Sequence, residues 1–341
     1  MIIVIKPNTP PDGIEEVRRH VVGLGYEPRL IQGVQRTVIA AIGDETEHPS
    51  LETLKGMPEV ENVLPIQKRY KLASREFHSA NSVVHIGGHP LGQGAFQVIA
   101  GPCAVESLAQ IRESARDLSA AGVGILRGGA FKPRTSPYDF QGLAGKGLEH
   151  LARMKDEFGL AIVTEVIGVE HIKRVAAVAD MLQIGARNAQ NYHLLEKVAD
   201  CGRPILLKRG MASTIDEWLS AAEYLMVHGC ENVVLCERGI RTFETATRNT
   251  LDLSAVVVAK QESHLPVMVD PSHASGNRKL VLPLALAAIA AGADGLVIEA
   301  HPQPLEARSD AGQQIASDKF KREIIEVIRP WVELAGKTLN P

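Results

Sequence analysis

The sequence predicts an α/β protein: a (β/α)8 TIM barrel preceded by a small βαββαβ ferredoxin-like domain. Three observations carry that expectation. After Ala95, eight short apolar segments alternate with longer amphipathic ones, the pattern of strands that each feed a helix. The stretch before Ala73 keeps a different rhythm, with fewer and shorter segments. A length of 341 residues accommodates one large barrel with an appendage. Apolar residues make up 45% of the chain and aromatic residues 4%, so the core is aliphatic, as suits buried parallel strands under helices.

The opening MIIVIK reads as a strand. Residues 12–24 read as an amphipathic helix with Ile14, Val17, Val21 and Leu24 on one face, stopped by Gly25. Extended segments at 28–32 and 37–42 follow, then a short helix at 51–55 and a strand at 60–65, giving the βαββαβ order. That topology serves RNA readers and small-molecule regulatory domains alike. RNA readers stack bases on exposed aromatics, and the central segment TVIAAIG has none. A regulatory or oligomerisation module is the expectation for residues 1–72. Residues 73–94, polar and rich in glycine, read as a linker with one short hairpin covering the barrel floor, and residues 95–341 as the catalytic barrel.

The eight barrel strands are FQVIAGP, GILRGGAF, AIVTEVI, MLQIGAR, PILLKRG, NVVLCERG, PVMVDPSH and GLVIEAH, and a helix over about 317–335 closes the chain. An open doubly wound sheet is the rival, but GGHPLGQG precedes a strand and does not open a helix. A net charge of −3 argues against nucleic-acid or anionic-membrane partners. The longest apolar stretch, near 280–293, is too short to span a bilayer. The opening lacks the basic start of a signal peptide, and Cys103, Cys201, Cys230 and Cys236 form no CxxC pair. A reduced, cytoplasmic protein is expected.

In such barrels the active site lies at the C-terminal ends of the strands. Cations crowd four of these ends: Arg127 with Lys132 and Arg134, then Arg187, then Lys208 and Arg209, then Arg238 and Arg241. A single arginine there is ordinarily a solvated or salt-bridged surface residue. Four successive instances in an acidic chain suit a substrate set bearing several negative charges, because guanidinium forks match phosphate and carboxylate oxygens. Strands 7, 8 and 1 become neighbours when the barrel closes, and they bring a different group together: Cys103, His273, Glu299 and, just beyond, Asp310. Thiolate, imidazole and two carboxylates suit one divalent metal ion, with Mn, Fe, Co and Zn all compatible. Cys201, Cys230 and Cys236 read as buried small hydrophobes. His301 reads as a residue behind the ligands, and His193, His228 and His264 as ordinary helix or loop residues.

GPCAVES, LRGGAFKPRTSPYDFQG, IGARNAQN, LLKRG, CERGIRTFE, VDPSHASG and IEAHPQP together resemble the 3-deoxy-D-arabino-heptulosonate 7-phosphate synthases, in the type I branch related to 3-deoxy-manno-octulosonate 8-phosphate synthases. The resemblance runs motif by motif after Ala95, and the N-terminal unit resembles the ferredoxin-like regulatory domain that some of these synthases carry. It implies condensation of phosphoenolpyruvate with erythrose 4-phosphate, the first step of the shikimate pathway. It also implies metal ligands at Cys103, His273, Glu299 and Asp310, and phosphoenolpyruvate-binding cations at Arg127, Lys132, Arg187, Lys208 and Arg238. Aldehyde-phosphate contacts fall on Arg134, Thr135 and Ser136, and a site acid on Glu165. An aromatic amino acid effector and a homo-oligomer, dimer or tetramer, are further implications.

KPRTS favours the four-carbon aldehyde, since the octulosonate enzymes carry an Asn-bearing loop there. RSDAGQQ departs from the SDG common after strand 8, and Ala189 and Tyr192 stand where bulkier apolar residues or phenylalanine are usual. The candidate proton donors are a metal-bound water and Lys132, whose pKa cationic neighbours would lower. The alternatives are an octulosonate synthase, a non-catalytic metabolite-sensing barrel and a generic zinc hydrolase.

Overall fold

The computed structural model describes residues 1–32, 37–43, 48–64, 69–134 and 136–339, in two compact units, Met1–Arg69 and Tyr70–Pro341. The first unit holds β1 (Ile2–Ile5), α1 (Pro11–Gly23), β2 (Glu27–Gln32), β3 (Thr37–Ile42) and β4 (Val60–Leu64). Its strands form an antiparallel sheet in the order β2-β3-β1-β4. Val17 and Val21 of α1 are fully buried against Ile3, Ile5 and Ile39, with Ile14 and Leu24 packed alongside. The expected second helix is a single 3-10 run, Leu51–Gly56, capped by Ser50. Pro65, expected to end the last strand, lies outside the described residues.

In the second unit a hairpin, β5 (Val84–Ile86) and β6 (His89–Leu91), precedes the barrel. The barrel elements are β7 (Ala95–Gly101), α2 (Leu108–Ala120), β8 (Ile125–Arg127), α3 (Gly145–Phe158), β9 (Ala161–Glu165), α4 (Ile172–Ala176), β10 (Met181–Ile184), α5 (Tyr192–Ala199), β11 (Ile205–Lys208) and α6 (Ile215–Val227). There follow β12 (Val233–Glu237), α7 (Leu253–Glu262), β13 (Val267–Val269), the short α8 (Pro271–Ser275), α9 (Arg278–Ala290) and β14 (Gly295–His301). β7 to β14 pair in parallel in sequence order, and β14 pairs back onto β7 to close the ring. The expected closing helix is composite: a 3-10 turn, a π-helical turn at Lys321–Ile325, and α10 (Glu326–Leu334).

Strand periodicity sorts the side chains into two layers. Ile205 and Leu207 of β11 face the helices, while Leu206 faces inward. Leu296, Ile298 and Ala300 of β14 do the same around Val297. The inward apolar layer includes Ile99, Ile125, Val163, Met181, Leu206, Val234, Met268 and Val297, and Val84, Ile86 and Leu91 of the hairpin join this cluster. Two residues further along the strands, the same face presents Arg127, Glu165, Gln183, Lys208 and Glu299. The apolar layer therefore forms the bed on which the polar mouth rests. Gly101 is required at the end of β7, because a Cβ there would lie 2.0 Å from the Arg127 carbonyl oxygen.

Candidate active site

The donor cluster forms at the closure of the barrel. One donor atom from each of Cys103, His273, Glu299 and Asp310 falls within 4.8 Å of the others. Cys103 follows β7, and its buried thiol lies 3.1 Å from Ser309 Oγ and donates to Asp310 Oδ2 at 3.2 Å. Burial pushes the thiol up to about 12, with Glu299 adding to the effect. His273 sits in the first turn of α8, whose N-cap Asp270 accepts from the His273 backbone N–H at 2.8 Å. The Asp270 carboxylate also meets His273 Nδ1 at 2.7 Å, which turns Nε2 toward Glu299 Oε1 at 3.4 Å. Burial holds His273 below the usual imidazole value, and with Nδ1 engaged by Asp270 its Nε2 is the ring atom placed to ligate.

Glu299 is completely buried. Burial opposes its charge, but His273 and Arg127 outweigh it and keep the carboxyl below its usual range. Asp310 follows the same logic, with His273 and Arg248 outweighing burial. Its backbone is left-handed, φ 52°, which turns its carboxylate into the cluster. Two carboxylates, an imidazole and a thiol that would give up its proton on binding fit a divalent transition metal.

Beside this cluster opens a cavity of about 350 Å³. Lys132, Arg134, Arg187, Lys208, Arg238, Arg241 and Arg248 line it, seven cations against the three carboxylates of Asp139, Glu165 and Asp310. Arg187 arrives on a 3-10 turn just past β10, and Glu165 ends β9 with Oε2 accepting from Gln183 at 3.2 Å. Gly185 permits that approach, since a Cβ there would lie 2.1 Å from Glu165 Oε1. Arg238 is 5% exposed and its buried Nη1 finds no partner among the described residues. Burial holds the Arg238 pKa below its usual value. A buried, unpaired donor facing a cavity is costly unless an anion completes it.

Not every expected residue reaches the cavity. Arg127 is buried beneath it and donates to Glu299, so its guanidinium braces a donor and does not line the pocket. Lys208 lines the cavity while pairing with Asp270. Arg209 turns away from the mouth: its Nη1 donates to Glu237 at 3.0 Å and Asp252 at 2.9 Å, with the guanidinium over Trp218. Arg134 lines the cavity and donates to Ser309 at 2.5 Å. Ser136 lies outside the lining, and its hydroxyl accepts from the Tyr138 backbone N–H at 3.3 Å. Thr135 lies outside the described residues. His301 is buried behind the cluster, its Nε2 3.6 Å from Glu106.

The expected lowering of the Lys132 pKa is overturned. Burial does oppose its charge, but Cys103, Glu165 and Glu299 more than compensate, and the pKa lies above the usual lysine value. Its Nζ is 3.1 Å from both the carbonyl oxygen and Sγ of Cys103. Strand-end inspection also missed Asp270, Gln183 and Arg248. Asp270 was legible as a capping residue three positions before His273; Arg248 lies on an irregular loop and carries no positional signal.

Comparison with known proteins identifies the family and the fold. Residues 79–328 match the DAHP synthetase I family, and residues 1–68 match the DAHP synthase ferredoxin-like domain. The chain is 46% identical over 340 residues to a phospho-2-dehydro-3-deoxyheptonate aldolase of Thermotoga maritima, covering 100% of both chains. It is 32% identical over 238 residues to a 2-dehydro-3-deoxyphosphooctonate aldolase of an Azoarcus species, covering 62% of this chain and 82% of that one. A crystal structure of the Thermotoga maritima phospho-2-dehydro-3-deoxyheptonate aldolase (DAHP synthase) superposes with a TM-score of 0.93 at 45% identity, covering 99% of each chain. A truncated form of the 3-deoxy-D-arabino-heptulosonate 7-phosphate synthase from the same organism gives 0.74 at 47% identity, covering 80% of this chain and 100% of that one. Among the described residues, no helix is long and apolar enough to cross a membrane.

Proposed function

From the premise that this chain belongs to the DAHP synthetase I family, we propose that it condenses phosphoenolpyruvate with erythrose 4-phosphate and water, yielding 3-deoxy-D-arabino-heptulosonate 7-phosphate and phosphate. The reaction opens the shikimate route to aromatic amino acids. The observation that carries the assignment is the juxtaposition of a four-donor cluster with a cavity bearing seven cations.

Joining C3 of phosphoenolpyruvate to the aldehyde carbon builds negative charge on the aldehyde oxygen. Water adds at C2, and phosphate departs by C–O cleavage. Arg187, Lys208 and Arg238, together with Lys132, neutralise phosphoenolpyruvate, and the unpaired Nη1 of Arg238 supports that role. Arg127 acts one step back, by holding Glu299. Arg134 takes the aldehyde phosphate. Lys132 stays an ammonium, which is far more acidic than an alcohol, so it can protonate the new alkoxide. Glu165 lines the same cavity, where its carboxylate orients water or accepts its proton. Cys103, His273, Glu299 and Asp310 would hold one divalent ion, Mn, Fe, Co or Zn, whose Lewis acidity suits charge developing on the aldehyde oxygen.

An aldehyde panel on the manganese-loaded enzyme tests the assignment. Erythrose 4-phosphate should exceed arabinose 5-phosphate in kcat/KM by at least about tenfold, the lower end of the scale that one charged hydrogen bond sets. Preference for the five-carbon sugar would replace the assignment with the octulosonate reaction. The N-terminal unit is assigned to feedback regulation by an aromatic amino acid. Deletion of residues 1–72 should abolish inhibition by tyrosine and phenylalanine; inhibition that survives deletion would contradict this.

A further inference from the structure

Two of the four donors are held from outside the cluster by residues that the strand-end pattern does not mark. Gln313 is 2% exposed, and its Nε2 donates to Glu299 Oε2 at 2.6 Å. Its Oε1 accepts from Arg248 Nη1 at 3.2 Å, and the same Nη1 lies 3.1 Å from Asp310 Oδ1. The amide can face only one way, because the carboxylate requires an N–H and the guanidinium a carbonyl. Each contact takes the oxygen other than the one nearest a fellow donor, and Glu299 Oε1 is held in turn by Arg127. Glu299 Oε1 stays 3.4 Å from His273 Nε2, and Asp310 Oδ2 stays 3.2 Å from Cys103 Sγ.

We propose that Gln313 and Arg248 are positioning residues that fix which carboxylate oxygen of Glu299 and of Asp310 faces the donor cluster, and thereby set its affinity for a divalent cation. The proposal rests on the reading of Cys103, His273, Glu299 and Asp310 as the cation site. An unbraced carboxylate must give up rotational freedom when it ligates, and it can turn its lone pairs elsewhere. Loss of such outer partners weakens metal binding by about 10–100-fold. Arg248 comes from the loop after β12 and Asp310 from the loop after β14, so the brace also ties two rim loops together.

The test is a chelator competition on metal-stripped, full-length protein, with free Mn2+ read by electron paramagnetic resonance and no turnover involved. Gln313→Leu should weaken Mn2+ binding by about 10–100-fold and Arg248→Leu by about tenfold, with Arg248→Lys recovering most of that loss. In Gln313→Leu, whose side chain does not line the cavity, the KM for phosphoenolpyruvate at saturating Mn2+ should stay within about threefold of wild type. A merely structural role would lower the melting temperature of the stripped protein and leave Mn2+ affinity alone. Wild-type affinity in folded Gln313→Leu and Arg248→Leu overturns the brace while the cation reading stands. If Gln313→Leu does not fold, the Arg248 pair decides by the same criterion. Absence of any wild-type Mn2+ site that Cys103→Ala removes would overturn the cation reading and the brace with it.

Discussion

The two ends of the barrel both bury charge, and they do so in opposite ways. At the floor the buried carboxylates of Asp294 and Asp180 end in protein partners. Asp294 accepts from Lys260 at 2.7 Å, from Lys337 at 3.0 Å and from the Val267 backbone N–H at 2.9 Å. Asp180 is met by Lys155 and by the Ile162 backbone N–H. At the mouth, cations outnumber carboxylates, and a buried Arg238 donor goes unpaired among the described residues. Satisfied charge holds strands and helices in register, whereas unsatisfied charge around a cavity marks where a ligand completes the structure. Mouth substitutions should therefore damage turnover with little effect on folding, and floor substitutions the reverse.

The largest expected effect is at the donor cluster. Cys103→Ala should lose bound metal and reduce turnover by about a thousandfold or more, because Lewis-acid stabilisation is worth several kcal/mol, while its circular dichroism remains native. Wild-type turnover with no metal in elemental analysis would break the comparison from the mouth side. Next comes the floor. Asp294→Ala strands two lysine charges and should cost about 3–5 kcal/mol in urea unfolding, with kcat/KM per folded molecule unchanged. A matching loss of kcat/KM would show that floor and mouth are not separable.

Arg134→Ala should lower kcat/KM for erythrose 4-phosphate by about 1.5–3 kcal/mol, the value of a charged hydrogen bond, with the KM for phosphoenolpyruvate little changed. Equal loss for both substrates would place Arg134 with the phosphoenolpyruvate cations. The smallest effect is a pH dependence at the floor. Buried His264 uses Nε2 on the Leu72 carbonyl and Nδ1 on Ser82, each at 2.7 Å, a neutral tautomer already satisfied. Burial holds its pKa below the ordinary 6.5, against the pull of the Leu72 carbonyl. Between the lowered folded value and 6.5 the unfolded chain binds more protons, so this contribution is complete above 6.5 and lost as pH falls through the folded value. Wild type should therefore lose more stability than His264→Asn between pH 7.5 and 5.5, and parallel losses would assign the acid sensitivity elsewhere.

Much of this contrast was legible in the chain. The eight strands follow from short apolar segments that alternate with amphipathic ones, their side chains facing in and out with period two, and the donors lie at or just beyond strand ends, where the barrel rule looks for them. The same periodicity, applied strictly, would have separated Lys208 from Arg209. Neighbours on a strand face opposite ways, and only Lys208 reaches the cavity. Arg127 shows a different limit: the pattern puts it inside, but only the fold reveals that Glu299 engages it. Ser136, Arg248 and Gln313 lie beyond the strands, where no period fixes direction. The Lys132 expectation failed for a related reason, since a list of strand-end cations says nothing of the sulfur and carboxylates that surround one of them.

The central claim is that the unsatisfied mouth is completed by two phosphorylated substrates and a divalent ion. Its most direct test is phosphate release from phosphoenolpyruvate by chelated and by Mn2+-reloaded protein, each with and without erythrose 4-phosphate. Release that requires both the metal and the aldehyde is the predicted result. Release without either, or none under any metal, would contradict it.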